Sequence, residues 1–288
     1  MQNTIKQYYS LTKPGVLYGN ALTVAAGYFL AAQGNINIWL FFSVFIGSSL
    51  IIAAACVLNN YLDQDIDAIM ERTKERALVA GKIKGYQAVI FSISLGVIGL
   101  GVLIAFTNTL VVILGIVGFI TYVVLYGMLS KRLSTHGTLV GSISGAIPIL
   151  AGYCAASGVI DAGAVLVFII LFAWQFPEFY SISIYRLKEY EAAHIPVLPA
   201  IKGIKRTKIE IFIYTIVFVL SSLLLTPFGY TGIIYFIVMS GLGVYWLWLA
   251  LKGFSASDSD RWARQMFGFS MIIILGLCVM LSVGPVLP

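Results

Sequence analysis

The sequence predicts an all-α fold, a polytopic membrane helical bundle with nine transmembrane helices. Three observations predict it. Apolar runs close to the ~20 residues that cross a hydrocarbon layer recur along the chain. Of 288 residues, 60% are hydrophobic and only 10% are charged, against about 25% charged in soluble domains; mean hydropathy is +0.96. The loops between the runs alternate between basic and non-basic, as membrane topology requires.

The elements follow in order. The first fourteen residues, ending Leu11-Thr12-Lys13-Pro14, are polar and lack the apolar core of a signal peptide. The first run is therefore expected to act as its own insertion signal. The runs lie at roughly 15–33, 38–58, 86–106, 108–129, 138–157, 162–182, 209–227, 231–251 and 267–286. Residues 1–288 are expected to form a single membrane domain, since neither a soluble domain nor a low-complexity linker interrupts them.

One set of loops is short and has no basic residue: Gln33 to Asn35, Thr107-Asn108, Ser157 to Asp161 and Pro227 to Gly229. The other set, 59–85, 130–137, 183–208 and 252–266, holds with the N-terminal segment all 18 Lys and Arg residues. The positive-inside rule makes this second set cytoplasmic. Nine crossings then place the N-terminus inside and the C-terminus outside a bacterial-type cytoplasmic (inner) membrane. The net charge of +6 reads as topology, because so apolar a chain has no basic soluble face for nucleic acid.

Eleven of the twelve acidic residues share the basic side, and only Asp161 lies opposite. Topology does not require this of acidic residues, so it points to a working polar surface. Cys56, Cys154 and Cys278 lie far apart in apolar runs and match neither a metal spacing nor a disulfide framework. Gly141 and Gly145 are spaced for close helix contact.

Directly after the second run comes Asn59-Asn60-Tyr61-Leu62-Asp63-Gln64-Asp65-Ile66-Asp67. On a helix Asn59, Asp63 and Asp67, at i, i+4 and i+8, share one face, while Asp65 points elsewhere. Carboxylates this close repel one another, and a cation relieves the repulsion. Oxygen-only ligands favour Mg²⁺, which fills much of its shell with water and phosphate oxygens. The site therefore predicts a phosphorylated substrate. Arg72, Lys74 and Arg76 follow at once, with Arg72 and Arg76 again at i, i+4. The plain alternative is a solvated helix end.

A second cluster closes the sixth run. Trp174-Gln175-Phe176-Pro177-Glu178 leads to Tyr185-Arg186, Glu189 and Ile195-Pro196-Val197-Leu198-Pro199. Glu178 sits within an aromatic span, where a carboxylate is a functional candidate. Arg186 and Glu189 are one turn apart, which also suits a plain surface pair. Lys131 and Arg132 close the fourth run on the same side, a placement that topology alone also explains.

At these segments the chain resembles the UbiA superfamily of intramembrane prenyltransferases. The Asn59–Asp67 stretch with Met70-Glu71-Arg72-Thr73-Lys74-Glu75-Arg76 fits its N-x-x-x-D-x-x-x-D…M-x-R-T-x-x-R signature. Trp174 to Pro177 and Tyr185-Arg186 through Pro199 look like the second signature of the branch whose acceptor is haem. Thr12-Lys13-Pro14, Tyr126 to Arg132 and Gly141 to Tyr153 match as well. The branch usually has His where Glu178 stands, Asp where Glu189 stands, and a Pro-Pro pair where this chain has Pro148-Ile149.

The resemblance implies a farnesyl diphosphate donor, a haem b acceptor and the lipid bilayer as medium. Mg²⁺ held by Asn59, Asp63 and Asp67 would carry the diphosphate. Arg72, Arg76, Lys131 and Arg132 would offset the charge of the leaving diphosphate. Glu178, Arg186, Glu189, Lys13 and Asn20 are the further expected substrate-binding positions, with Lys13 and Asn20 at the mouth. The allylic cation would be attacked by a haem vinyl group, and water would complete a hydroxyethyl-farnesyl substituent. Docking of a haem A synthase or a terminal oxidase assembly stays open. Two rivals remain: the same fold with a quinone-precursor aromatic acid or chlorophyllide as acceptor, and a transporter for a phosphorylated or haem-like solute.

Overall fold

The computed structural model describes residues 2–288, with side chains from residue 4 onward. A short amphipathic helix α1 (Gln2–Leu11) precedes α2 (Pro14–Ala32). Between them Lys13 takes φ 50°. Pro14 opens α2, where its missing N–H costs nothing. The chain continues through α3 (Ile38–Leu62), α4 (Gln64–Ile69), α5 (Gly85–Phe106) and α6 (Thr109–Ile120). α6 runs into a π-helical stretch (Thr121–Ser130) and a last turn, α7 (Lys131–Leu133). Then come α8 (Gly137–Ser157), α9 (Ala162–Tyr185), α10 (Leu187–Ala192), α11 (Leu198–Leu224), α12 (Ile233–Lys252) and α13 (Ser259–Val283).

Among the described residues, nine helical stretches are long and apolar enough to cross a membrane. They correspond one to one with the nine predicted runs. Two begin well before the hydropathy signal: α11 at Leu198, with a break at Gly203 (φ 77°), rather than near 209, and α13 at Ser259 rather than near 267. Their first turns carry Lys202, Lys205, Arg206, Lys208, Asp260, Arg261 and Arg264. A helix persists into the polar interface, whereas hydropathy reports only its apolar length.

In three of the four non-basic loops a side chain caps the helix that follows. Asn37 accepts from Leu40 N, Asn108 from Val111 N, and Asp161 from Ala164 N. Asp161 also accepts the Tyr153 hydroxyl at 3.0 Å. The acidic residue that stands apart in the sequence thus has a structural reason.

Packing is tight where glycines meet backbone. α2 lies against α8, and a Cβ on Gly152 would come within 2.0 Å of Val24 O. Gly27 faces the reverse contact, with Ile149 O at 2.1 Å from its virtual Cβ. α3 packs on α5 and α9 on α11. The main core takes Tyr28, Ile149, Phe176, Phe218, Tyr235 and Trp246 from five helices. All three cysteines are free and buried, as packing residues should be.

Candidate functional site

α3 ends at Leu62, but the backbone scarcely breaks. Asp63 N bonds to Asn59 O at 3.0 Å and Asp67 N to Asp63 O at 2.8 Å. The i, i+4 rhythm carries through into α4, so Asn59, Asp63 and Asp67 face one cavity. Its volume is about 700 Å³, within the ~300–1,000 Å³ usual for ligand sites.

Each of these three residues is buried against a cation. Asn59, 2% exposed, accepts from Lys13 Nζ. Asp63, 1% exposed, accepts from Lys131 Nζ at 2.6 Å. Asp67, 4% exposed, accepts from Arg76 Nη1 at 2.5 Å. On these three residues two buried atoms are left with no hydrogen-bond partner: Asp63 Oδ1 and Asn59 Nδ2. Arg132 Nη2 stands 3.8 Å from Asp63 Oδ1, beyond hydrogen-bond reach. A buried, unsatisfied carboxylate oxygen is costly, and one in a cavity wall suits a hard cation with oxygen preference. The donor set therefore fits Mg²⁺.

Lys13, Asn20, Arg72, Arg76 and Lys131 line the same cavity. Burial pushes the Lys13 ammonium down to about 8. Asn20 spends its amide on Val16 O at 2.8 Å, inside its own helix. Arg72 and Arg76 do not lie on a helix, since residues 70–80 form successive turns. Thr73 Oγ1 donates to Asp67 O at 2.9 Å and ties the turns to α4. Among the described residues Arg72 has no ion-pair partner.

Three expected positions fall outside the cavity lining: Arg132, Arg186 and Glu189. Arg132 grips Asp65 with two bonds of 2.7 Å and donates to Leu62 O at 2.7 Å. It closes the C-terminus of α3 from outside and holds the Asp65 carboxyl down to about 2. Arg186 and Glu189 bond each other at 2.7 Å in a half-buried pair that leaves Glu189 Oε2 without a hydrogen-bond partner. Adjacency in sequence to Lys131 and Tyr185 did not resolve which face each side chain takes.

Glu178 does line the cavity, on the wall that α9 provides. Beneath it Gln175 donates to Ser142 O at 3.1 Å and Leu171 O at 3.0 Å. Gly145 admits that amide, since a Cβ there would lie 2.0 Å from Gln175 Oε1. Sequence reasoning missed Tyr122, Tyr126 and Tyr190, which also line the cavity. Tyr122 and Tyr126 sit on the π-helical stretch with ring centroids 5.7 Å apart. Burial raises the Tyr190 phenol. Tyr126 opens the Tyr126–Arg132 segment that resembles the family, but nothing marks Tyr122 and Tyr190 among 16 Tyr and 18 Phe.

The UbiA prenyltransferase family matches residues 20–273. The chain belongs to this family. It is 47% identical over 279 residues to the protoheme IX farnesyltransferase of Yersinia pseudotuberculosis serotype O:1b (strain IP 31758), covering 97% of this chain and 95% of that one. It is 45% identical over 284 residues to the protoheme IX farnesyltransferase of Photorhabdus laumondii subsp. laumondii, covering 99% and 97%. Among solved structures, one described for digeranylgeranylglyceryl phosphate synthase has a TM-score of 0.84 at 20% identity, covering 99% of each chain. A UbiA homolog from Archaeoglobus fulgidus, bound to DMAPP and Mg²⁺, has a TM-score of 0.71 at 14% identity, covering 96% of this chain and 99% of that one. This UbiA-family chain is therefore an integral membrane prenyltransferase, not a transporter.

Proposed function

We propose that the protein transfers the farnesyl group of farnesyl diphosphate to a vinyl group of haem b, giving haem O and diphosphate in a Mg²⁺-dependent reaction. The observation that carries the reading is one cavity joining buried oxygen ligands and cations at one end to an apolar wall at the other. The named relatives, 45–47% identical over nearly the whole chain, support haem b rather than an aromatic acid as acceptor.

Asn59, Asp63 and Asp67 would hold Mg²⁺, which when bound neutralises the diphosphate and eases its departure. Arg72, Arg76 and Lys131 offset the charge that grows on the leaving oxygen. Lys13, hydrogen-bonded to Asn59, orients that ligand and adds a positive charge at the mouth. The farnesyl chain lies along the apolar wall of Leu114, Phe119, Ile147 and Ile274. That wall keeps water from the allylic cation until the vinyl carbon attacks it. The basic loops put this mouth, and the N-terminus, on the cytoplasmic side.

Incubation of membranes carrying the protein with radiolabelled farnesyl diphosphate and haem b tests the reading. Labelled haem O is expected, and chelation of Mg²⁺ abolishes it. Labelling of a hydroxylated aromatic acid with no haem O would replace the acceptor.

A further inference from the structure

The α9 wall holds one charged group that departure of the diphosphate does not use. Glu178 shares a helix face with Leu171, Trp174, Gln175 and Ile182, spaced three or four residues apart, and all five line the cavity. Its neighbours are fixed. Trp174 Nε1 donates to Ser270 O at 2.9 Å, and Gln175 is held by two carbonyls on α8 and α9. Glu178 makes no ion pair and no hydrogen bond among the described residues. A carboxylate inside a membrane span is a costly placement and is retained where it acts.

The cations of the cavity do not serve it. Lys131 and Arg76 bond Asp63 and Asp67 on the α3–α4 side. A diphosphate belongs with those cations, and a carboxylate repels it. Glu178 lines the cavity from the α9 side, on the same lining as Met271 and Leu275 of α13.

We infer that Glu178 is the proton acceptor for the water-addition half of the reaction, an assignment that rests on the proposed haem farnesylation. Once the farnesyl carbon bonds the terminal vinyl carbon, the adjoining carbon is cationic. Water attacks it, and a C–O bond forms from an oxygen lone pair. One O–H bond then breaks, its electron pair stays on oxygen, and the proton passes to the Glu178 carboxylate. No oxidant or reductant is needed.

The test uses the full-length enzyme with farnesyl diphosphate, haem b and Mg²⁺, with haem products identified by mass. Glu178→Gln and Glu178→Leu keep no proton acceptor, whereas Glu178→His keeps one on the same turn. In the Gln and Leu variants, formation of the hydroxylated product is expected to fall about tenfold or more. The KM for farnesyl diphosphate stays within about threefold of wild type. A product lighter by one water, formed when carbon loses the proton instead, becomes the larger fraction. Glu178→His restores the hydroxylated product.

Wild-type rate and product in the Gln variant overturn the inference. So does a loss confined to haem affinity with kcat unchanged at saturation. If neither the Gln nor the Leu variant folds, Glu178→His decides alone: a mainly dehydrated product overturns the inference, and a hydroxylated one supports it. A wild-type enzyme that farnesylates no haem is a different outcome, the failure of the proposed function itself.

Discussion

Replacing Asp63 by Asn keeps the side-chain volume and removes the charge. Asp63 Oδ2 lies 2.6 Å from Lys131 Nζ, with side chains 2% and 18% exposed. At an effective dielectric of ~20, that separation corresponds to about 6 kcal/mol of attraction before desolvation. Removing one partner of a buried pair costs about 3–5 kcal/mol, because the other stays buried and unpaired. Lys131 retains some contact with water, so about 3 kcal/mol is expected here. Lys131→Met breaks the same pair from the other side and lowers the thermal midpoint comparably. The two variants part in Mg²⁺ titrations of haem farnesylation. Asp63→Asn should lose at least about tenfold in kcat/KM, or about 1.4 kcal/mol, and need about tenfold more Mg²⁺ for half-saturation. Lys131→Met should lose rate with little change in Mg²⁺ demand. An Asp63→Asn enzyme with unchanged Mg²⁺ demand would refute the metal-site reasoning. Equal shifts in both variants would refute it too, and would make the pair purely structural.

Arg72 lines the cavity without an ion-pair partner among the described residues. Arg72→Ala should therefore raise the KM for farnesyl diphosphate about tenfold, while thermal unfolding stays near wild type. Lys13, its ammonium lowered to about 8 by burial, loses charge as pH rises through that value. Affinity for the diphosphate donor should weaken above about pH 8, and a Lys13→Met enzyme should lack this limb in a KM–pH profile. Gly152→Ala would place a Cβ 2.0 Å from Val24 O, so α2 and α8 must part; a loss of about 1–3 kcal/mol in unfolding experiments is expected. Asp65 is exposed and paired with Arg132, so Asp65→Asn should cost under about 1 kcal/mol and leave activity intact. The Asp65 carboxyl is lowered to about 2, so that small contribution is present above the usual carboxylate range and lost as pH falls through about 2.

The nine crossings were legible because a hydrocarbon core imposes a fixed length on every apolar run. The beginnings of α11 and α13 were not, because helix formation continues where hydropathy stops. The i, i+4 rule placed Asn59, Asp63 and Asp67 on one side because hydrogen bonding runs on through Asp63. The same rule applied to Arg72 and Arg76 reached the right cavity for the wrong reason, since turns rather than a helix carry them. Arg132 shows the limit of linear reading. It follows Lys131 directly, yet Lys131 turns inward to Asp63 and Arg132 outward to Asp65. The rotation is set by the π-helical stretch, in which Lys131 N bonds Tyr126 O five residues back. No residue in that stretch announces the winding.

The paired charges also bear on how a carboxylate-rich mouth stays folded between turnovers. Asp63 and Asp67 sit at the edge of an apolar bundle, where uncompensated charge is expensive. Lys131 and Arg76 compensate them in the structure. In the proposed reaction those cations are the ones a diphosphate recruits, and those carboxylates are the ones Mg²⁺ recruits. Substrate entry then exchanges partners among groups already balanced, rather than bringing a bare charge into a low-dielectric site. This makes Arg72, the lining cation bonded to neither a carboxylate nor Asn59, the natural first contact for an incoming diphosphate. Of the three carboxyl groups that line the cavity, it also leaves Glu178 as the one with no cation partner among the described residues, which fits a group that must accept a proton rather than hold a ligand.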